Sequence, residues 1–244
     1  MSDRESTVVS LNRSDWERQL GDLVSSIRSW PEWSTGFVQE MRHSTGTREQ
    51  GHLGLYAYSR YVRNFITLMC AVLGKAPESD DSFWGLAINL HDELGGTTGI
   101  HASHGRMLAG LGDSLDATTR ERCNAAMEVQ ERALHTMLAT LDWPVNLFAL
   151  GPGTESISDL FLDPLEHWGH QVTSERPSVR QYFDSHRPEV EAEHQLEIRR
   201  VIAHELARMS ESDARSVWAI GVGAANSIAR LHLSALERSF AISR

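Results

Sequence analysis

Apolar residues recur at three- and four-residue spacing along almost the whole chain, and no stretch alternates strictly with Val, Ile and Thr as a half-buried strand would. This pattern predicts an all-α protein: one domain over residues 15–244, of roughly eight or nine helices, preceded by a flexible N-terminal segment, residues 1–14. Trp16, Leu20, Leu23 and Ile27 form the first apolar stripe. Helices follow at about 35–43 and 48–73, the second stopping at Gly74-Lys75-Ala76-Pro77. Residues 79–82 cap a helix carrying Trp84, Leu86, Leu90 and Leu94. Gly95-Gly96-Thr97-Thr98-Gly99 breaks it, because each glycine costs about 1 kcal/mol relative to Ala inside a helix. A short helix is predicted at about 101–111, and Asp116 caps a long one running to about 141, where Trp143-Pro144 ends it.

Gly151-Pro152-Gly153 interrupts the next apolar segment, after which Leu160, Leu165 and Trp168 continue helically to about residue 170. Pro177-Ser178, with Gln181 at capping-box spacing, opens a helix expected to run through Pro188 to about 209, and the last spans about 210–242. Its small residues Gly221, Gly223, Ala224 and Ala225 predict a closely approaching neighbour. Gly221-Val222-Gly223 is not a dinucleotide loop, since no strand precedes it.

Composition narrows the function. The chain has 244 residues, 41% hydrophobic and 23% charged, which excludes a disordered or collagen-like chain. A chain of this length buries roughly 70% of its unfolded surface, so no metal is needed to staple the fold and any metal site is functional. The net charge of −10 argues against a nucleic-acid or anionic-membrane partner and for a small-molecule substrate. The lone lysine, Lys75, sits in a turn and is set aside as a Schiff-base residue. Cys70 and Cys123 are distant and lie in apolar helical patterns, giving neither a disulfide framework nor CxxC spacing, as expected in a reducing cytoplasm. The polar N-terminus lacks signal-peptide order, and the longest apolar run, 65–73, is too short to span a bilayer. A soluble, cytoplasmic protein is expected.

Twelve histidines, several near carboxylates, direct attention to a metal site. In the segment from His186 to His194, about 100° per residue places the two histidines roughly 80° apart on a continuous helix. A π-bulge at Pro188 that absorbs one residue would nearly eclipse them, with Glu191 on the same face. As an ordinary helix start, Glu189, Glu191 and Glu193 would simply complement the helix dipole. Glu93 ends a helix whose other face is apolar, and the glycine-rich turn lets a following histidine fold back to face it. His101 is preferred for that place, with His104 as the fallback. Glu155 follows the second glycine break and heads a buried-looking segment with Ile157, Leu160 and Phe161. Carboxylates with three imidazoles form the mixed oxygen and nitrogen set that suits two iron ions activating dioxygen, whereas two cysteines so placed cannot build a sulfur-rich zinc site.

These residues also carry a likeness. Asp92-Glu93-Leu94-Gly95-Gly96, the histidine after it, Glu155 62 residues beyond Glu93, and His186 31 residues beyond Glu155 resemble the signature of the haem-oxygenase-like diiron oxidases and oxygenases. The likeness extends over the helix order from about residue 37 to 206, including Tyr182-Phe183 before His186. It implies a haem-oxygenase-like helical bundle binding two Fe2+ ions through Glu93, His101 or His104, Glu155, His186, Glu191 and His194, with O2 as co-substrate. The family closes on His-x-x-x-Asp-x-x-His. Counting from His186 puts its Asp on Val190, and counting back from His194 puts it on Glu191, which is favoured. The likeness implies oxidation of a small amine, amino acid or fatty-acid-like molecule in a biosynthetic pathway, by N-oxygenation, desaturation or C–C cleavage, with an external electron donor.

Other arrangements compete. Glu40-Met41-Arg42-His43 and Glu191-Ala192-Glu193-His194 are both Glu-x-x-His, the pair a ferritin-like bundle needs, but His43 leads into a loop, and Glu128 and Glu131 read as a solvated face with Arg132 and His135. A metal-free enzyme resembling thiaminase II or pyrroloquinoline quinone synthase would use the same acids and histidines as proton carriers. A non-catalytic partner-binding protein would use none of them. An anionic substrate would draw on Arg60, Arg63 or Arg180, and the long helices offer a homodimer surface.

Overall fold

The computed structural model describes residues 11–76, 81–96, 103–186 and 188–242, and within helices it describes no side chain for residues 81, 82 and 188–191. Among the described residues there is no strand, and twelve α-helices are joined by turns and three short 3-10 segments. Helix α1 (Arg13–Arg28) carries the first apolar stripe, and its first two residues fall within the segment 1–14. An Asn12–Asp15 capping box closes its N-terminus, and Trp16, Leu20, Leu23 and Ile27 form its buried stripe. Helix α2 (Gly36–His43) leads through a second capping box, Thr47–Gln50, into the 26-residue α3 (Arg48–Leu73). Helix α4 (Asp81–Glu93) ends where Gly95 takes φ of 88°, in the left-handed region.

Helix α5 (His104–Met107) is a single turn, and a 3-10 turn follows, so the expected single helix at 101–111 is divided. Asp116 caps α6 (Ala117–Thr140) as predicted. Trp143-Pro144 does not end that helix but opens the next, α7 (Trp143–Leu150), because proline at a first-turn position gives up only an N–H that would lack a partner anyway. Gly169 splits the expected single segment into α8 (Asp159–Trp168) and α9 (His170–Glu175).

The predicted continuous helix across Pro188 is corrected in the same way. Helix α10 (Pro177–Ser185) ends before His186, and Pro188 is the first residue of α11 (Pro188–Arg208). Among the described residues no continuous helix, and so no bulge within one, joins His186 to His194. Helix α12 (Glu211–Ala241) starts behind the cap Ser210.

The long α3 is the centre of the bundle, packed against α4, α6, α7, α9 and α12. Helix α11 packs on α1, α4 and α7, and α12 packs on α6 and α7. The small-residue stretch of α12 performs as predicted at one position and not at another. A β-carbon at Gly221 would sit 2.5 Å from the Phe148 ring, whereas Gly223 faces open space.

The α7–α8 connection is drawn in tightly. A β-carbon at Gly153 would sit 2.9 Å from Ala149 O and 3.1 Å from Ala225 Cα, so only glycine admits α12 there. Cys123 is buried as expected, but Cys70, near the end of α3, is exposed. Among the described residues no helix is long and apolar enough to cross a membrane.

Candidate metal centre

Three of the predicted residues meet inside the bundle, each delivered by an element end. Glu93 is the last residue of α4 and is 4% exposed. His104 is the first residue of α5 and is 5% exposed. His186 follows the last turn of α10. Side chains at helix ends can converge from three directions, where a single helix face supplies only residues three or four apart. Nδ1 of His104 donates to Oε2 of Glu93 over 2.7 Å, and the His104 and His186 rings lie 4.3 Å apart between centroids. One ligand atom from each of Glu93, His104 and His186 falls within 4.8 Å of the others.

The position of the proton on His186 follows from its neighbours. Its Nδ1 lies 2.7 Å from the Tyr182 carbonyl, which can only accept, so the proton is on Nδ1 and the lone pair on Nε2. Burial, and then the charge of His104, pushes the His186 pKa down to about 4. Burial alone would raise the Glu93 carboxyl. The hydrogen bond and charge of His104, with His186 and His194 beyond it, outweigh burial and hold Glu93 below the usual carboxylate range. The group is therefore an ionised carboxylate facing two imidazoles in a buried setting.

A second group adjoins the first. Glu155 opens the short 3-10 turn Glu155–Ile157, is 4% exposed and lines the same small cavity as Glu93 and His186. That cavity has a volume of about 20 Å³, close to the room one water needs. His194 on α11 stands between two acids, with Nδ1 3.7 Å from Oε1 of Glu155 and Nε2 3.8 Å from Oδ2 of Asp92. These separations are too long for hydrogen bonds, and the buried Nδ1 of His194 has no hydrogen-bond partner. A buried imidazole nitrogen left in this way, facing a carboxylate, fits a cation between them.

Of the predicted ligands, Glu93, Glu155 and His186 thus line one small cavity, with His104 bonded to Glu93 and His194 standing 3.7 Å from Glu155 behind them. His101 lies outside the described residues. Glu191 belongs to the first turn of α11, and its side chain lies outside them also.

Several contributors were not among the candidates. Asp92 was noted only as part of the Asp-Glu pair, and its approach to His194 requires α4 to pack on α11. Asn89, one turn before Glu93, is 1% exposed with neither amide atom hydrogen-bonded. Tyr58 and Tyr182, whose hydroxyls lie 2.7 Å apart, wall the cavity, and the Tyr182 ring packs on His104 and His186.

Glu155 is held from behind by a buried chain. The Thr154 hydroxyl donates to Ala149 O at 2.8 Å, so it accepts from Nε2 of His232 at 3.0 Å, and Nδ1 of His232 accepts from Gln130 Nε2. His232 is 1% exposed, and burial pushes its pKa down to about 3.

The competing ferritin-like arrangement is not assembled. His43 is exposed at the end of α2, Glu128 pairs with Arg132 on the surface of α6, and Glu131 pairs with Arg60.

No protein-family model matches the chain, and neither does any curated protein. Solved structures do match. A TenA homolog from Pseudomonas syringae pv. tomato superposes with a TM-score of 0.64 at 15% identity, covering 96% of this chain and 97% of that one. A CADD-like protein of unknown function from Nostoc punctiforme superposes with a TM-score of 0.56 at 17% identity, covering 95% and 96%. At such identities the likeness is one of fold. The chain therefore has the haem-oxygenase-like helical fold.

Proposed function

We propose that the protein is a non-haem iron enzyme that uses dioxygen to oxidise a small molecule. The observation that carries this reading is the convergence of Glu93, His104 and His186, two imidazoles and one carboxylate, the donor set of non-haem iron oxygenases. Glu93, His104 and His186 would hold one ion, and Glu155 and His194, with Glu191 as the remaining carboxylate, would hold the second. The chemistry such a pair supplies when bound is the activation of dioxygen. The substrate class is the one the family likeness implies, a small amine, amino acid or fatty-acid-like molecule, with electrons from an external donor.

The protein's own part is to prepare the donors. The Tyr182 carbonyl fixes the His186 tautomer, and Asp92 faces the far nitrogen of His194, as carboxylates commonly do behind metal-binding imidazoles. Tyr58, Tyr61, Val62 and Phe65 of α3 line the cavity, and Glu93 and Glu155 are each only 4% exposed, so their charges are screened less than surface charges.

A second reading is a metal-free acid–base enzyme, favoured by the direct 2.7 Å hydrogen bond between His104 and Glu93, which could pass a proton without any ion. A cysteine nucleophile has no place in it. Cys70 is exposed on the far part of α3, and burial pushes the Cys123 thiol up, away from the reactive thiolate.

Anaerobic titration of the apoprotein with ferrous iron separates the two readings. The iron reading expects about two ions per chain and an oxygen-dependent optical change. No saturable binding would leave the acid–base reading in its place.

A further inference from the structure

Helix α3 lines two cavities with opposite faces. Tyr58, Tyr61, Val62 and Phe65 look into the acid–histidine cavity, while Tyr56, Ser59 and Arg63, at three- and four-residue spacing, line a separate cleft on the other side. That cleft has a volume of about 260 Å³. Its remaining walls are the α5 turn, the 3-10 segment after it and Arg120 in the first turn of α6. Leu108 and Leu111, both 1% exposed, give it an apolar floor.

The two arginines distinguish the cleft from an ordinary groove. Arg60, one turn before Arg63, is taken up by Glu131 and Asn124. Arg63 and Arg120 pair with no acid among the described residues, in a chain of net charge −10. Arg63 lays its stem over the backbone just after His104, since its Cγ would lie 3.7 Å from a β-carbon on Gly105. Gly110 holds φ of 74°, and a β-carbon there would lie 3.3 Å from Oδ2 of Asp113 and 3.7 Å from a guanidinium nitrogen of Arg176. Arg176 is itself steadied by Ser114 at 3.1 Å. Asp113 is the one acid among the lining residues.

We propose that this cleft binds the anionic group of a small molecule, a carboxylate or a phosphate, between Arg63 and Arg120, with a short apolar portion over Leu108 and Leu111. Guanidinium forks match both anions bidentately, and the cleft is slightly below the usual range of small-molecule sites, so the ligand is small. The proposal is independent of iron, because the cleft lies on the opposite face of α3 from the acid–histidine cluster.

Isothermal titration with inorganic phosphate and, separately, with hexanoate tests it. Saturable binding of either is expected, weakened about tenfold or more by Arg63→Ala with Arg120→Ala, and unchanged by Arg215→Ala, an exposed arginine of α12 outside the cleft. Binding of phosphate alone assigns a phosphorylated ligand, and binding of hexanoate alone assigns a carboxylic acid. Absence of saturation with both probes overturns the proposal. So does undiminished binding by the double variant whose circular dichroism matches the parent protein.

Discussion

Nε2 of His232 donates to the Thr154 hydroxyl across 3.0 Å, and through that bond α12 fixes the residue next to Glu155. The imidazole is fully buried and neutral, with Gln130 on its other nitrogen. The cavity that holds the acids and histidines is therefore shaped by residues from α6 and α12 that never enter it.

Acid should unfold the protein partly through His232. Its pKa is about 3 folded against about 6.5 unfolded, so its contribution is fully present above pH 6.5 and is lost as pH falls from 6.5 toward 3. One pKa unit corresponds to about 1.4 kcal/mol, so His232 accounts for about 2 kcal/mol of the loss between pH 6.5 and 5. Urea unfolding of His232→Gln across this range should show a decline shallower by that amount. An unchanged slope would mean that the imidazole is not held neutral.

Gly153→Ala should destabilise the protein by about 1–3 kcal/mol, because the added β-carbon meets the backbone of Ala149 and Ala225 and no flexible side chain can give way. The same change should weaken iron binding by displacing Glu155. Thermal unfolding and ferrous-iron titration measure the two effects. Gly223→Ala, which meets nothing, should be neutral or slightly stabilising.

Tyr58→Phe and Tyr182→Phe should be coupled. Their hydroxyls share one 2.7 Å hydrogen bond in a buried setting, so a double-mutant cycle should return an interaction energy of about 0.5–1.5 kcal/mol. Simple additivity would show that the bond contributes nothing to stability.

Much of the fold is legible because its signals are local. The Thr47–Gln50 box, Asp116 and Ser210 mark the starts of α3, α6 and α12 to within a residue, since a cap acts only on its own first turn. Pro144 and Pro188 are less legible. A proline marks the edge of a helix, and packing decides whether the helix ends there or begins. Cys70 also escaped, because a long apolar helix leaves one face outward and periodicity does not say how wide that face is.

The candidate site divides along the same line. Glu93, Glu155, His186 and His194 could be picked out by residue type and by the glycine breaks that expose helix ends. Between His101 and His104, one helical turn apart, spacing does not decide, and among the described residues it is His104 that meets Glu93. Asp92 beside His194, and His232 behind Thr154, depend on contacts between elements far apart in the chain, which no local pattern encodes.

Glu93→Gln should keep the shape of the His104 contact while removing its charge. Because the carboxylate is buried and held ionised by His104, the variant should lose about 1–3 kcal/mol of stability at neutral pH. It should also lose one class of iron site. Thermal unfolding without metal isolates the first effect.

The most direct test of the metal centre is anaerobic ferrous-iron titration of the parent protein beside Glu93→Gln and Glu155→Gln. Two ions per chain in the parent protein, with a different one lost in each variant, is the expected result. No saturable iron binding in the parent protein, or equal binding in all three, would contradict the assignment of these acids and histidines to iron.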